Sequence, residues 1–205
     1  YGRFPHPLLV PVFTTTVILV CILLVTKTSY STYMGGAKWI NELLGPAFVA
    51  FAIPLYDHRE ILKKNGVTIL FSVFVGSIVG MSSGIVLGII SHINKELIFS
   101  LAPKSVTTPI AMEISEMVGG TPALAAVYVM VAGISGAMFG PYLMKLLNIK
   151  HPISKGIGFG TASHAIGTSR ALEMGTVEGA ISSIAMTLSA IMTSFICPLI
   201  LSFIY

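Results

Sequence analysis

Hydrophobic and polar positions in this chain alternate in long blocks, not at short period. Residues 8–26, 65–94, 117–144 and 179–205 contain no Asp, Glu, Lys or Arg. Each is close to or above the roughly 20 apolar residues that a helix needs to cross a bilayer core. Between them lie three shorter stretches, residues 36–56, 97–118 and 156–174, with glycine or proline at their centres and polar groups where a plain spanning helix would carry leucine. The pattern predicts an all-α, polytopic membrane bundle in which continuous helices alternate with broken or re-entrant ones. Irregular backbone is tolerated at membrane depth only where it faces protein or water.

The order of the segments repeats. An offset of about 115 residues carries 8–26 onto the helix beginning near Thr121, the interrupted GPAFVAFAIP onto GTASHAIGTS, and residues 66–90 onto the last helix. This predicts a single transmembrane domain over 1–205, built from two repeats, about 1–94 and 97–205. Arg59, Lys63 and Lys64 share one connection, and Lys145, Lys150 and Lys155 another. Cationic loops mark the cytoplasmic side, and this places the two repeats in inverted orientation if residues 97–118 enter and leave on one side. The opening Tyr-Gly-Arg-Phe-Pro-His-Pro has no apolar region of a signal peptide behind it. It reads as a loop following one absent N-terminal helix.

Composition supports the membrane reading and narrows the function. Of 205 residues, 54% are hydrophobic and 10% charged, against about a quarter charged in soluble domains. The net charge of +4 comes from membrane-edge residues and forms no basic face for nucleic acid. Cys21 and Cys197 lie in apolar runs and act as small apolar side chains. Neither a metal-ligand spacing nor a serine–histidine nucleophile motif is present, so the expectation is no metal, no cofactor and no enzyme.

Three features remain to be explained. Gly76, Gly80, Gly84 and Gly88 recur every four residues, a face on which helix backbones pack closely. In PKSVTTPIAMEISE (residues 103–116) Thr108–Pro109 has the grammar of an N-cap and first-turn proline. A helix starting there within the membrane aims free N–H groups and its positive dipole end into the protein. With Lys104, Ser105 and Thr107 beside it, the start forms a seat for a small anion. Glu113 and Glu116 follow on the same helix, either as wet edge residues or as carriers of a coupled proton. The counterpart is GIGFGTASHAIGTSRALEMG (residues 156–175), whose glycines permit unwinding. There Ser163, His164 and Thr168 are candidate ligands, with Thr168 capping a short helix that ends at Gly175. Arg170 in its first turn opposes the helix dipole and therefore implies an anionic partner. That partner is Glu113 or Glu116 in a structural ion pair, or a substrate carboxylate. His164 is a satisfied hydrogen-bonder or a second proton carrier.

On the stretches LLGPAFVAFAIPLY (43–56), PKSVTTPIAMEISE (103–116) and TASHAIGTSRALEMG (161–175), the chain resembles the LrgB/CidB family of bacterial membrane proteins, related to the second half of the plastid glycolate/glycerate translocator. The resemblance covers essentially the whole chain and implies a multi-pass protein of the bacterial cytoplasmic membrane. Two functions follow from it. One is transport of small monocarboxylates such as glycolate, glycerate or pyruvate. The other is holin/antiholin-like control of murein hydrolase export and autolysis, with an LrgA/CidA-type membrane partner and homo-oligomeric assembly. Lys104 and Arg170 at helix starts favour transport, because assembly alone requires no buried cations.

Overall fold

The computed structural model describes residues 11–43, 46, 52–57 and 59–205. All regular structure among them is helical. The elements are α1 (Pro11–Val25), α2 (Tyr30–Glu42), α3 (Ala52–Asp57), α4 (Arg59–Ile90), α5 (Lys95–Leu101), α6 (Thr108–Val118), α7 (Pro122–Leu146), α8 (Pro152–Met174) and α9 (Thr176–Ile204). The chain forms two compact units, 1–53 and 54–205. Residues 44–45 and 47–51 of the first interrupted stretch lie outside the described residues, as does the N-terminal segment 1–10.

In the first unit α1 is apolar and ends where Lys27 takes a left-handed conformation, φ 52°. The Thr28 N–H then returns to Leu23 O at 3.1 Å, closing carbonyls that the helix end leaves free. Ser29 caps α2 by accepting from the Thr32 N–H at 3.2 Å.

The second unit carries the long spans. Among the described residues, α4, α7 and α9 are long and apolar enough to cross a membrane. At 1.5 Å per residue the 32 residues of α4 reach about 48 Å, well beyond a hydrocarbon core of about 30 Å. Its first turns, where Lys63 donates to Glu60 at 3.1 Å, therefore stand at the water interface. The outward faces show Phe71, Val79, Phe195 and Leu199, the side chains expected against lipid. Inward, one apolar cluster joins Met81 and Ile85 of α4 to Ile98, Ile114 and Val129. A second joins Ile69 and Val73 to Ile181, Ile184 and Ala185 of α9.

The remaining helices form two hairpins. The first is α5–α6. Thr121, at the start of α7, donates its hydroxyl to Glu96 and its N–H to Ser100 Oγ, the latter at 2.7 Å. Since Glu96 lies in the first turn of α5, the chain enters and leaves at one end. Gly119, φ 85°, stops α6 in the left-handed conformation that glycine adopts without strain.

The second hairpin is α8 itself. Residues 155 and 174 would stand about 28 Å apart in a straight helix, yet Lys155 and Met174 line one cavity. A Cβ on Gly167 would lie 2.8 Å from Phe159 O, eight residues back, impossible along one continuous helix. The reversal occurs at His164, φ 40° and ψ −134°. Both arms pack on the first half of α9: Gly156 and Gly160 of the incoming arm meet the Glu178 and Ser182 carbonyls, and Leu172 of the outgoing arm meets Gly179. The hairpins open at opposite ends of α7, α5–α6 beside Thr121 and α8 beside Lys145.

Candidate functional site

The two hairpin tips seat on neighbouring turns of α4. Going down that helix, Gly88 faces Ile98, Gly84 faces Leu101 O and Lys104 Cε, Gly80 faces Ser105 Oγ, and Gly76 faces Thr161 Oγ1. Hypothetical Cβ atoms would sit 2.8–3.3 Å from these neighbours. This glycine row is thus filled within the chain, and it seats the tip of the first hairpin one helical turn from the second. Gly136 and Gly133 of α7 do the same for Ser163 and His164, where added Cβ atoms would overlap both side chains.

Lys104 sits in the turn between α5 and α6. Its ammonium donates to Gly80 O at 2.9 Å, Ser83 Oγ at 3.3 Å and Ser105 Oγ at 3.4 Å. Among the described residues no carboxylate lies within 4.0 Å of it. A half-buried cation whose partners are all neutral oxygens has no fixed counter-charge, which leaves it available to a mobile anion. Beside it lies a groove of about 450 Å³, lined by Lys104, Tyr128, Ser135, Gly136, Phe139 and Ser163 among others. That volume falls within the range of small-molecule sites, mainly apolar with a few fixed polar groups.

Thr107, not Thr108, is the N-cap of α6, with Thr108 and Pro109 in the first turn. The difference is one residue, within the usual ambiguity of helix ends. Thr107 is buried, makes no capping bond, and its Oγ1 has no partner. A buried hydroxyl without a partner is rare and costly, and this one stands three residues from Lys104.

The second hairpin differs more from expectation. The break lies at His164 instead of Thr168. Thr168 is inside the outgoing arm, where its Oγ1 donates back to His164 O at 2.8 Å and shares a hydrogen bond with Ser182 Oγ. Hydroxyl bonding to the carbonyl four residues back is the interior alternative to capping. The His164 Nε2–H donates to Val129 O at 3.0 Å, tying the apex to α7. Arg170 pairs with Glu173, one turn on, and not with Glu113 or Glu116. It is absent from the groove, so the two cations do not share one pocket. Glu113 and Glu116 are exposed on α6, away from its buried face of Ile114 and Ser115.

Of the candidates, Lys104, Ser105 and Ser163 converge on the groove or its rim, and His164 and Thr168 brace the tip behind it. Tyr128 and Ser135 were not anticipated as lining residues. Their signal was present, since they are two polar side chains spaced i,i+7 on one face of a charge-free span. Among the described residues no group of acids, histidines and cysteines could hold a metal ion.

Known proteins fit this architecture. Residues 1–203 match the LrgB-like family. The chain is 48% identical to the protein YxaC of Bacillus subtilis (strain 168), over 98% of this chain and 87% of that one. It is 34% identical to a protein named holin-like protein CidB of Staphylococcus aureus (strain Mu50), over 99% of this chain and 89% of that one. No solved structure matches it. With its long apolar helices it is a multi-pass protein of the cell membrane. By full-length sequence match, the chain belongs to the LrgB-like family.

Proposed function

We propose that this protein is a secondary transporter of small monocarboxylates of the glycolate, glycerate or pyruvate class. The observation that carries the reading is Lys104, a cation held by neutral oxygens at a re-entrant tip, opening on the groove. The substrate carboxylate pairs with the Lys104 ammonium, in the turn that leads into the start of α6 and its buried, unpartnered Thr107 hydroxyl. Ser163 and Ser135 supply hydroxyls for the substrate's own polar group. His164, next to Ser163, is assigned to a coupled proton in preference to the outward-facing Glu113 and Glu116. The proposal includes one transmembrane domain of two inverted repeats, 1–94 and 97–205. Supporting it, the order of continuous and interrupted hydrophobic segments recurs along the chain at an offset of about 115 residues.

Uptake of labelled glycolate, glycerate or pyruvate into proteoliposomes tests the reading. A hydrogen bond to a charged group is worth about 1.5–3 kcal/mol, so Lys104→Gln should lower uptake about tenfold or more, with Lys104→Arg less affected. Arg170→Gln should retain most activity because Arg170 is engaged by Glu173. Equal uptake by wild type and Lys104→Gln would remove the lysine from the site.

A second reading comes from the relatives named holin-like protein CidB: a modulator of murein hydrolase export and autolysis, assembling with an LrgA/CidA-type partner. Absence of uptake for all three acids would favour it. Its assembly surface would have to be other than the α4 glycine row, which is occupied within the chain.

A further inference from the structure

A second cavity, of about 220 Å³, lies at the far end of α7 from the α5–α6 hairpin mouth. Its cationic side chains are Lys145 in the last turn of α7, Lys150 in the connection, and Lys155 in the first arm of α8; Met144, Asn148 and Met174 complete much of the wall. None of its lining residues is acidic. Lys145 and Lys150 have no ion-pair partner among the described residues, and Lys155 reaches Glu178 only at 4.0 Å. The other cationic connection differs in that an acid stands within it. Glu60 lies 3.1 Å from Lys63 and 3.9 Å from Arg59, and Arg59 stacks on Tyr56 at 4.5 Å, leaving Lys64 without an ion pair among the described residues. Loop cations at a membrane edge need no special explanation. Three of them converging on one concavity, with almost no compensating charge, do.

Two further observations identify the ligand. The N-terminus of α8, capped by His151 and opened by Pro152, follows Lys150 directly and adds a positive dipole end. Tyr142, Leu146 and Leu147 are exposed on α7 and its end, an apolar surface flanking Lys145. Soluble phosphate would use the cations alone. A molecule with an anionic head and hydrocarbon tails would use both surfaces.

We propose that this cavity binds the headgroup phosphate of an anionic phospholipid, with the acyl chains lying along the exposed end of α7. Basic pockets between membrane helices commonly serve this purpose. The site is separate from the Lys104 groove and stands whether or not the protein carries acids.

The test uses the full chain in detergent, titrated with phosphatidylglycerol or phosphatidylcholine and read by native mass spectrometry. Wild type should retain phosphatidylglycerol in preference to phosphatidylcholine. Lys145→Gln/Lys150→Gln/Lys155→Gln should weaken that retention about tenfold. The matched control Arg59→Gln/Lys63→Gln/Lys64→Gln removes the same charge elsewhere and should leave retention unchanged. Lys150→Gln alone alters only a loop side chain, so it tests the site severalfold even if the triple variant fails to fold. Equal loss in both triple variants, no effect of Lys150→Gln, or no preference for the anionic lipid would each overturn the proposal. Displacement of the lipid by millimolar inorganic phosphate would overturn it in favour of a soluble anion.

Discussion

His164 concentrates the unusual chemistry of the fold in one residue. A non-glycine residue at φ 40° and ψ −134° lies where only glycine is comfortable, at a cost of about 1–3 kcal/mol. The imidazole offsets that cost through its bond to Val129 O, in a pocket that exists because position 133 lacks a Cβ. An unusual order of stabilities follows. In an ordinary helix glycine is about 1 kcal/mol worse than alanine. At this apex alanine keeps the strain and loses the bond, whereas glycine loses the bond and relieves the strain. His164→Gly should therefore melt above His164→Ala in detergent, and the reverse order would show that the apex is unstrained. Gly160→Ala is the complementary case. Its Cβ would overlap Ser182 O on α9. Because the neighbour is backbone, the helices must separate, costing about 1–3 kcal/mol, visible as a lower Tm.

At the scale of elements, the decisive feature is the reversal of α8. It predicts that spin labels at Lys155→Cys and Met174→Cys, with Cys21 and Cys197 replaced by alanine, lie far closer than the roughly 28 Å of a straight helix. A distance near 28 Å, measured by electron–electron resonance, would refute the hairpin and with it the groove. The sequence carried the existence of this break plainly, since GIGFGTASHAIGTS combines glycines and hydroxyls where lipid would demand leucine. It did not carry the position. Thr168 has the side chain of a cap, but capping preference is local. The turn was placed instead by Gly133 and Gly136 on a helix 30 residues away. Arg170 failed for a different reason. With the break at His164 it lies beyond the first turn of the outgoing arm and does not oppose the dipole. Its anion is Glu173 one turn on, an i,i+3 pair available in the sequence itself. The four-residue glycine period of α4, by contrast, has one close-packing meaning at any depth, and the helices it meets are those of its own chain.

For the whole molecule, the question is what moves. Two hairpins that open at opposite ends of α7 and seat on neighbouring turns of α4 flank a groove floored by α7, so a shift of either tip along α4 changes access to it. A ligand can drive such a change only by binding one arrangement more tightly than the other. Lys104 is suited to that, because its present partners are neutral oxygens of α4 and its own turn. An arriving carboxylate competes with those oxygens for the ammonium N–H groups and draws the ammonium away from Gly80. In the transporter reading, Ser135→Cys on α7 should react with a water-soluble thiosulfonate through the groove, and saturating glycolate or pyruvate should slow that reaction severalfold. Ser154→Cys, exposed in the first turn of α8 and outside the groove, should react at one rate with or without the acid. Protection at both positions would indicate a general change in the protein. Protection at neither would mean that the groove receives no acid, leaving Lys104 as a brace that fastens the first hairpin to α4.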